Sequence, residues 1–287
     1  MEFSPFGQHY FDVIVRLQPR RPVRSHTLIE DREPMPFSNV YEDARRAEAY
    51  ATLEFPGTYY LAYRDLPATI AEHVKGRVAL DFGCGAGRST RFLKKLGFDA
   101  TGIDISSSMI DLATSADPTG TYQLVEDGDF SAFEPGRFDL VLSAFAFDNI
   151  PDVGKRRGLL RSLRRLLNDE GRIILLGSTP EIYTHEWASF TTRDFPENRS
   201  AKSGETVRIV MKDVKDHRPV VDLVWFHQDY LDLIAACELD VAAHYTPLGR
   251  EDEPYGWLTE TRIAPWVIYV LQAGKAGSGS PGDREVE

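Results

Sequence analysis

The residues best suited to chemistry form a short run of glycines flanked by acids. Asp81 ends the apolar run Val78-Ala79-Leu80, and Phe82-Gly83-Cys84-Gly85-Ala86-Gly87 follows. Glycines permit a tight turn and let a ligand approach the backbone closely. A helix beginning there presents free N–H groups. The dinucleotide fingerprint is G-x-G-x-x-G. Here the spacing is G-x-G-x-G, and Arg88 stands where the third dinucleotide glycine would be. Asp81 is a poor neighbour for a pyrophosphate and a good acceptor for an ammonium.

Those two features favour a phosphate-free adenosine ligand with an amino-acid end, S-adenosylmethionine, over NAD. Asp104 lies 19 residues after Gly85, at the end of the next apolar run, where a carboxylate can accept both ribose hydroxyls. Gly128-Asp129-Phe130 offers a third contact. Asp129 could accept from the adenine amino group beside Phe130, with Asp127 as the competing acid.

Candidate reacting groups fall in two later segments, Phe147-Asp148-Asn149-Ile150-Pro151 and Glu181 to Trp187. His185, next to Glu186, is a candidate general base because imidazole titrates near neutral pH. Asp148 and Asn149 could hold an acceptor amine. No ligand set has metal-site spacing, so no metal is expected. Trp187, Trp225, Trp257 and Tyr255 are candidate walls of an apolar acceptor pocket, and equally candidates for ordinary packing.

These residues need a scaffold, and the chain supplies an alternating one. Strands are expected at Val78–Asp81, Ala100–Asp104, Tyr122–Glu126, Phe138–Ser143 and Ile173–Leu176. Helices separate them: Ser89–Leu96 closed by Gly97, one capped by Ser106 with Met109, Ile110 and Ala113 inward, and one through Leu159 to Leu167 stopping near Gly171. Such alternation implies a parallel sheet covered by helices on both faces, with ligands beyond the carboxyl ends of its strands. Residues 178–226 break the rhythm as a hairpin or lid, with strand-like runs at Val207/Ile209/Met211 and Val221/Leu223/Trp225. A helix (Tyr230–Cys237) and strands at Val241–Tyr245 and Trp266–Leu271 complete the sheet.

Before the sheet, 1–36 reads as a loose arm in which Met35 is an alternative start. Residues 37–76 read as a helical cap, with a helix over Tyr41–Phe55 broken by Pro56-Gly57 and another opened by Pro67. Residues 37–273 thus form one domain: cap, core (77–177), insertion (178–226) and C-terminal end of the sheet (227–273). The tail 274–287 reads as disordered.

The bulk properties agree. The 287 residues carry a net charge of −11, which disfavours a nucleic-acid partner. The basic run Lys155-Arg156-Arg157 with Arg161, Arg164 and Arg165 reads as the wet face of an amphipathic helix. No apolar run is long enough for a membrane span. Two distant cysteines and no secretory pattern point to the cytoplasm.

Four motifs in order, Leu-Asp-Phe-Gly-Cys-Gly-Ala-Gly, Gly-Ile-Asp-Ile-Ser, Glu-Asp-Gly-Asp-Phe and Phe-Asp-Leu-Val-Leu-Ser, make residues 77–177 resemble a class I S-adenosylmethionine-dependent methyltransferase. The resemblance implies a Rossmann-like, seven-stranded, mostly parallel sheet. It also implies a cofactor site drawn from Asp81, Gly83, Cys84, Gly85, Asp104, Ile105, Met109, Gly128, Asp129, Phe130, Ser143, Ala144 and Phe145. Tyr59 and Arg64 would close over the cofactor, the guanidinium meeting its carboxylate. The expected activity is methyl transfer to an N, O or C atom of a small molecule. Attack on another sulfonium carbon, cofactor cyclisation, a nicotinamide oxidoreductase and a non-catalytic binder remain open alternatives at this stage.

Overall fold

A computed structural model describes residues 55–274. The expected arm, the helix over 41–55 and the tail lie outside these residues, apart from their inner edges. Helices α1 (Thr58–Arg64) and α2 (Leu66–His73) lead into β1 (Val78–Phe82). Then follow α3 (Arg88–Lys95), β2 (Asp99–Asp104), α4 (Ser107–Ala116), β3 (Thr121–Leu124) and β4 (Phe138–Ala144). After α5 (Val153–Leu166) and β5 (Leu167–Ser178) comes an insertion holding β6 (Phe190–Thr191), β7 (Thr206–Met211) and β8 (Val220–Leu223). Helix α6 (His227–Ala236), β9 (Leu239–Tyr245) and β10 (Trp266–Ala273) close the domain.

The main sheet has seven strands in the order β3-β2-β1-β4-β5-β10-β9. Strands β1 to β5 pair in parallel, and β10 is antiparallel to both its neighbours. Its two faces are buried in two separate clusters. Leu140, Leu142, Ile174, Leu176, Ile268 and Val270 face one; Val141, Ile173, Leu175, Val267, Tyr269 and Leu271 face the other. Strands buried on both sides read as continuous apolar runs, which is why Phe138 to Ser143 was legible as a strand. The order reverses between β1 and β4, so a crevice must open at their carboxyl ends.

Four details depart from the sequence reading. Helix α1 falls between the two helices that the sequence suggests; it follows Gly57, whose φ is 48° and where an added Cβ would meet Ser189. Helix α5 ends at Leu166 rather than near Gly171, because Leu167 already pairs with Phe138 through a register shift. Arg156 is not on a wet face: it is buried with its guanidinium 3.9 Å from the Trp225 ring centroid. The insertion is a three-stranded antiparallel sheet, order β6-β7-β8, instead of a two-stranded hairpin. Val207, Ile209 and Met211 point inward from β7, as their alternation predicts.

Candidate active site

The glycine turn connects β1 to α3. Gly83, Gly85 and Gly87 all have positive φ (70°, 51° and 78°), the region glycine enters without strain. The turn is fastened to the end of β2. Gly83 N–H and Cys84 N–H both donate to the Ile103 carbonyl at 2.9 Å, and Gly85 N–H donates to Asp104 Oδ2 at 2.9 Å. Ser106 N–H donates to Asp104 Oδ1, and Ser106 Oγ caps α4 at Met109 N–H. Asp104 is therefore locked by two backbone donors. Desolvation still pushes its carboxyl above the ordinary range, against the pull of those bonds.

Asp81 is fully buried under the turn. The hydroxyls of Ser89 and Thr90 donate to its Oδ2, both at 2.6 Å, and tie α3 back to β1. Its Oδ1 is buried with no hydrogen-bond partner. Burial raises its pKa to about 6.

Above the turn lies a cavity of about 300 Å³ at the carboxyl ends of β1, β2 and β4. Gly83, Cys84, Gly85, Asp104, Ile105, Met109, Gly128, Phe130, Ala144 and Phe145 line it. Ile105, 54% exposed, presents an apolar side chain to this cavity. A Cβ on Gly85 would point into open space, with Met109 Sδ nearest at 4.0 Å.

A second, smaller cavity of about 50 Å³ lies between the core and the insertion. Tyr59, Phe145, Phe190 and Trp266 form an aromatic wall, Tyr59 stacking on Trp266 with ring centroids 5.5 Å apart. Asp148, Tyr183 and Asp222 supply its polar groups. Phe145 and Asn149 line both cavities. Phe145 has φ 61°, a costly conformation for a side chain with a Cβ, and strain of this kind collects at functional sites. Asn149 Nδ2 donates to its carbonyl at 3.0 Å and braces it.

Comparison with known proteins bears directly on this geometry. A sequence profile for a methyltransferase domain matches residues 80–175. N-demethylindolmycin N-methyltransferase from Streptomyces griseus is 28% identical over 202 residues, 69% of this chain and 84% of that one. Ubiquinone biosynthesis O-methyltransferase from Methylococcus capsulatus is 33% identical over 136 residues, but that match spans 57% of its length. Among solved structures, the CcbJ methyltransferase from Streptomyces caelestis has a TM-score of 0.56 at 16% identity, covering 79% of this chain and 96% of that one. A methyltransferase from Clostridium acetobutylicum scores 0.55 and covers 82% and 100%. Residues 80–175 match a methyltransferase domain, and the fold is that of S-adenosylmethionine-dependent methyltransferases. The Clostridium acetobutylicum neighbour is an S-adenosylmethionine-dependent methyltransferase.

Several anticipated residues of the methyltransferase domain and its flanks stand away from the larger cavity. Arg64 is held by Asp65 and Glu253, each at 2.6 Å, and does not line it. Arg88 does, stacked among the rings of Phe55, Tyr59 and Tyr63. In the sequence this arginine stands out only as a missing glycine. Tyr59 lines the small cavity instead. Asp129 is exposed and caps its own turn by accepting from Ser131 N–H at 2.8 Å; Asp127 lines the cavity and pairs with Lys155. The acid followed two residues later by a serine was the available sign of a local turn. Ser143 is buried behind its neighbours, its Oγ without a partner.

Asp148 and Asn149 come together at the small cavity, whereas His185 lines neither space and bonds locally to Thr184 at 3.0 Å. The four anticipated aromatic walls are elsewhere. Trp187 donates to the Ile182 carbonyl, Trp225 to that of Asp148 and Trp257 to that of Arg250, while Tyr255 packs on Tyr60. Among the described residues, no group of His, Cys, Asp or Glu could hold a metal, and no helix is long and apolar enough to cross a membrane.

Two outcomes follow from these placements. Asp104→Ala is expected to weaken S-adenosylhomocysteine binding by about tenfold, or ~1.4 kcal/mol, in a calorimetric titration. His185→Ala is expected to leave both that affinity and the turnover rate within about twofold of wild type, since a side chain outside both cavities cannot move the reacting proton.

Proposed function

We propose that the protein moves the methyl group of S-adenosylmethionine to an N, O or C nucleophile of a small molecule whose reacting end occupies the smaller cavity. The observation that carries this reading is the junction at Phe145 and Asn149. Both residues line both spaces, so a donor in one and an acceptor in the other would meet at the end of β4. Holding two reactants in line supplies much of the rate of a displacement.

The larger cavity fits the cofactor in parts. Ile105, Gly128 and Phe130 would receive the adenine, and Asp104 has acceptor capacity left for the ribose hydroxyls. The space above Gly85 leaves room for the chain beyond. Arg88 would meet the carboxylate of the amino-acid end, whereas Asp81, fully buried beneath the turn and not lining the cavity, would brace the turn through Ser89 and Thr90. The cofactor supplies an electrophilic methyl group; the chain binds, orients and keeps water out. The relatives named for N-demethylindolmycin and for ubiquinone biosynthesis support a small-molecule acceptor.

Val220→Trp, at the half-buried rim of the small cavity, tests the division of labour. Release of S-adenosylhomocysteine in the presence of small amines, phenols and carboxylic acids is expected to fall more than about tenfold, with cofactor affinity unchanged. A parallel loss of cofactor affinity would show that the smaller cavity is not a separate acceptor site.

A further inference from the structure

We propose that the smaller cavity selects an amine: Asp222 is the counter-ion of the acceptor's ammonium and takes its proton, so that methylation falls on nitrogen. This rests on the reading of that cavity as the acceptor site. The two carboxylates facing it differ in how they are compensated. Asp148 accepts from Ser178 N–H at 2.7 Å and from the Tyr230 hydroxyl. It also lies near the guanidinium of Arg156, which is caged by Phe147, Trp225 and Tyr230. Asp222 has no ion-pair partner among the described residues. Its hydrogen-bond donor is the Tyr183 hydroxyl, 3.4 Å from Oδ2, which leaves Oδ1 for a ligand.

An uncompensated carboxylate in a half-buried place is costly, and a cationic ligand removes that cost while a neutral alcohol does not. The aromatic rings of Tyr59, Phe190 and Trp266 also line the cavity, an environment compatible with an ammonium head group. The space of about 50 Å³ admits a head group of roughly three to five heavy atoms, not a whole metabolite. Burial and the nearby Asp148 raise the Asp222 carboxyl to about 7, which suits a proton acceptor near neutral pH.

The step balances. The ammonium gives one proton to Asp222 Oδ1, and the freed nitrogen lone pair forms a bond to the methyl carbon. The carbon–sulfur bond breaks with its electron pair on sulfur, leaving a neutral thioether and a methylated ammonium. Asp222 then returns its proton to water.

The test uses the full chain saturated with S-adenosylhomocysteine, titrated calorimetrically with benzylamine and, separately, with benzyl alcohol at neutral pH. The amine is expected to bind at least tenfold tighter than the alcohol, a gap of about 1.4 kcal/mol. In Asp222→Asn the gap is expected to close while S-adenosylhomocysteine affinity stays unchanged, which shows an intact fold. Equal binding of amine and alcohol to wild type, or a gap that survives Asp222→Asn, overturns the inference and leaves the cofactor site standing. Failure of wild type to bind S-adenosylhomocysteine at all overturns the underlying functional reading instead.

Discussion

Gly85→Val is expected to weaken S-adenosylhomocysteine binding by about a hundredfold, or ~2.7 kcal/mol, and to leave the protein folded. Gly85 has φ 51°, and its missing Cβ would project into the larger cavity rather than into the core. A β-branched side chain would fill the space the ligand needs. It would also strain the backbone by about 1–2 kcal/mol, because left-handed φ brings a Cβ against the following carbonyl. In a domain of this size that strain lowers Tm by about 2–8 °C. Gly83 would behave differently. An added Cβ there lies 2.3 Å from the Ala146 side chain, so the damage would be to folding first. Calorimetry with S-adenosylhomocysteine, paired with a thermal melt, separates the two glycines.

Glu260→Ala is expected to destabilise the protein by about 3–5 kcal/mol, because a buried carboxylate would be removed from several donors at once. Glu260 is fully buried. Its Oε1 accepts from the Thr58 hydroxyl and from Ala188 N–H, both at 2.7 Å; its Oε2 accepts from Leu258 N–H and Thr259 N–H. Thr58 and Ser189 bond to one another twice more, and the Thr58 carbonyl accepts from Trp266 Nε1. This knot ties α1 to the insertion and to β10, and so places Tyr59, Phe190 and Trp266 around the smaller cavity. The melting temperature is expected to fall by about 6–20 °C. At temperatures where the variant stays folded, acceptor turnover should suffer more than S-adenosylhomocysteine affinity. A melt within about 2 °C of wild type would mean that the knot does not hold the insertion.

The two cavities differ in how far the sequence revealed them. The cofactor turn was legible because its parts are local. Consecutive residues set the glycine spacing, and Asp104 follows at the end of the adjacent strand. The alternating strands were legible because burial on both faces makes them uniformly apolar. The smaller cavity was not, because its walls arrive from distant points: Tyr59, Asp148, Tyr183, Phe190, Asp222 and Trp266 are neighbours only after folding. Asp222 and Glu260 look like ordinary surface acids in the sequence, and Arg156 looks like one cation in a basic run. Three aromatic rings from the 3₁₀ turn at Phe147–Asn149, the residues after β8 and helix α6 turn that arginine inward. Asp148 was singled out as reacting chemistry. It lines the smaller cavity and accepts from Ser178 N–H and the Tyr230 hydroxyl, partners far from it in the sequence.

Hydrogen–deuterium exchange with and without S-adenosylhomocysteine tests the central claim most directly. The expected result is slowed exchange in the amides of 83–89, 104–109 and 127–130, the three segments that border the larger cavity. Exchange that stays unchanged in all three, or slows only within the insertion at 178–226, would contradict the placement of the cofactor above the glycine turn.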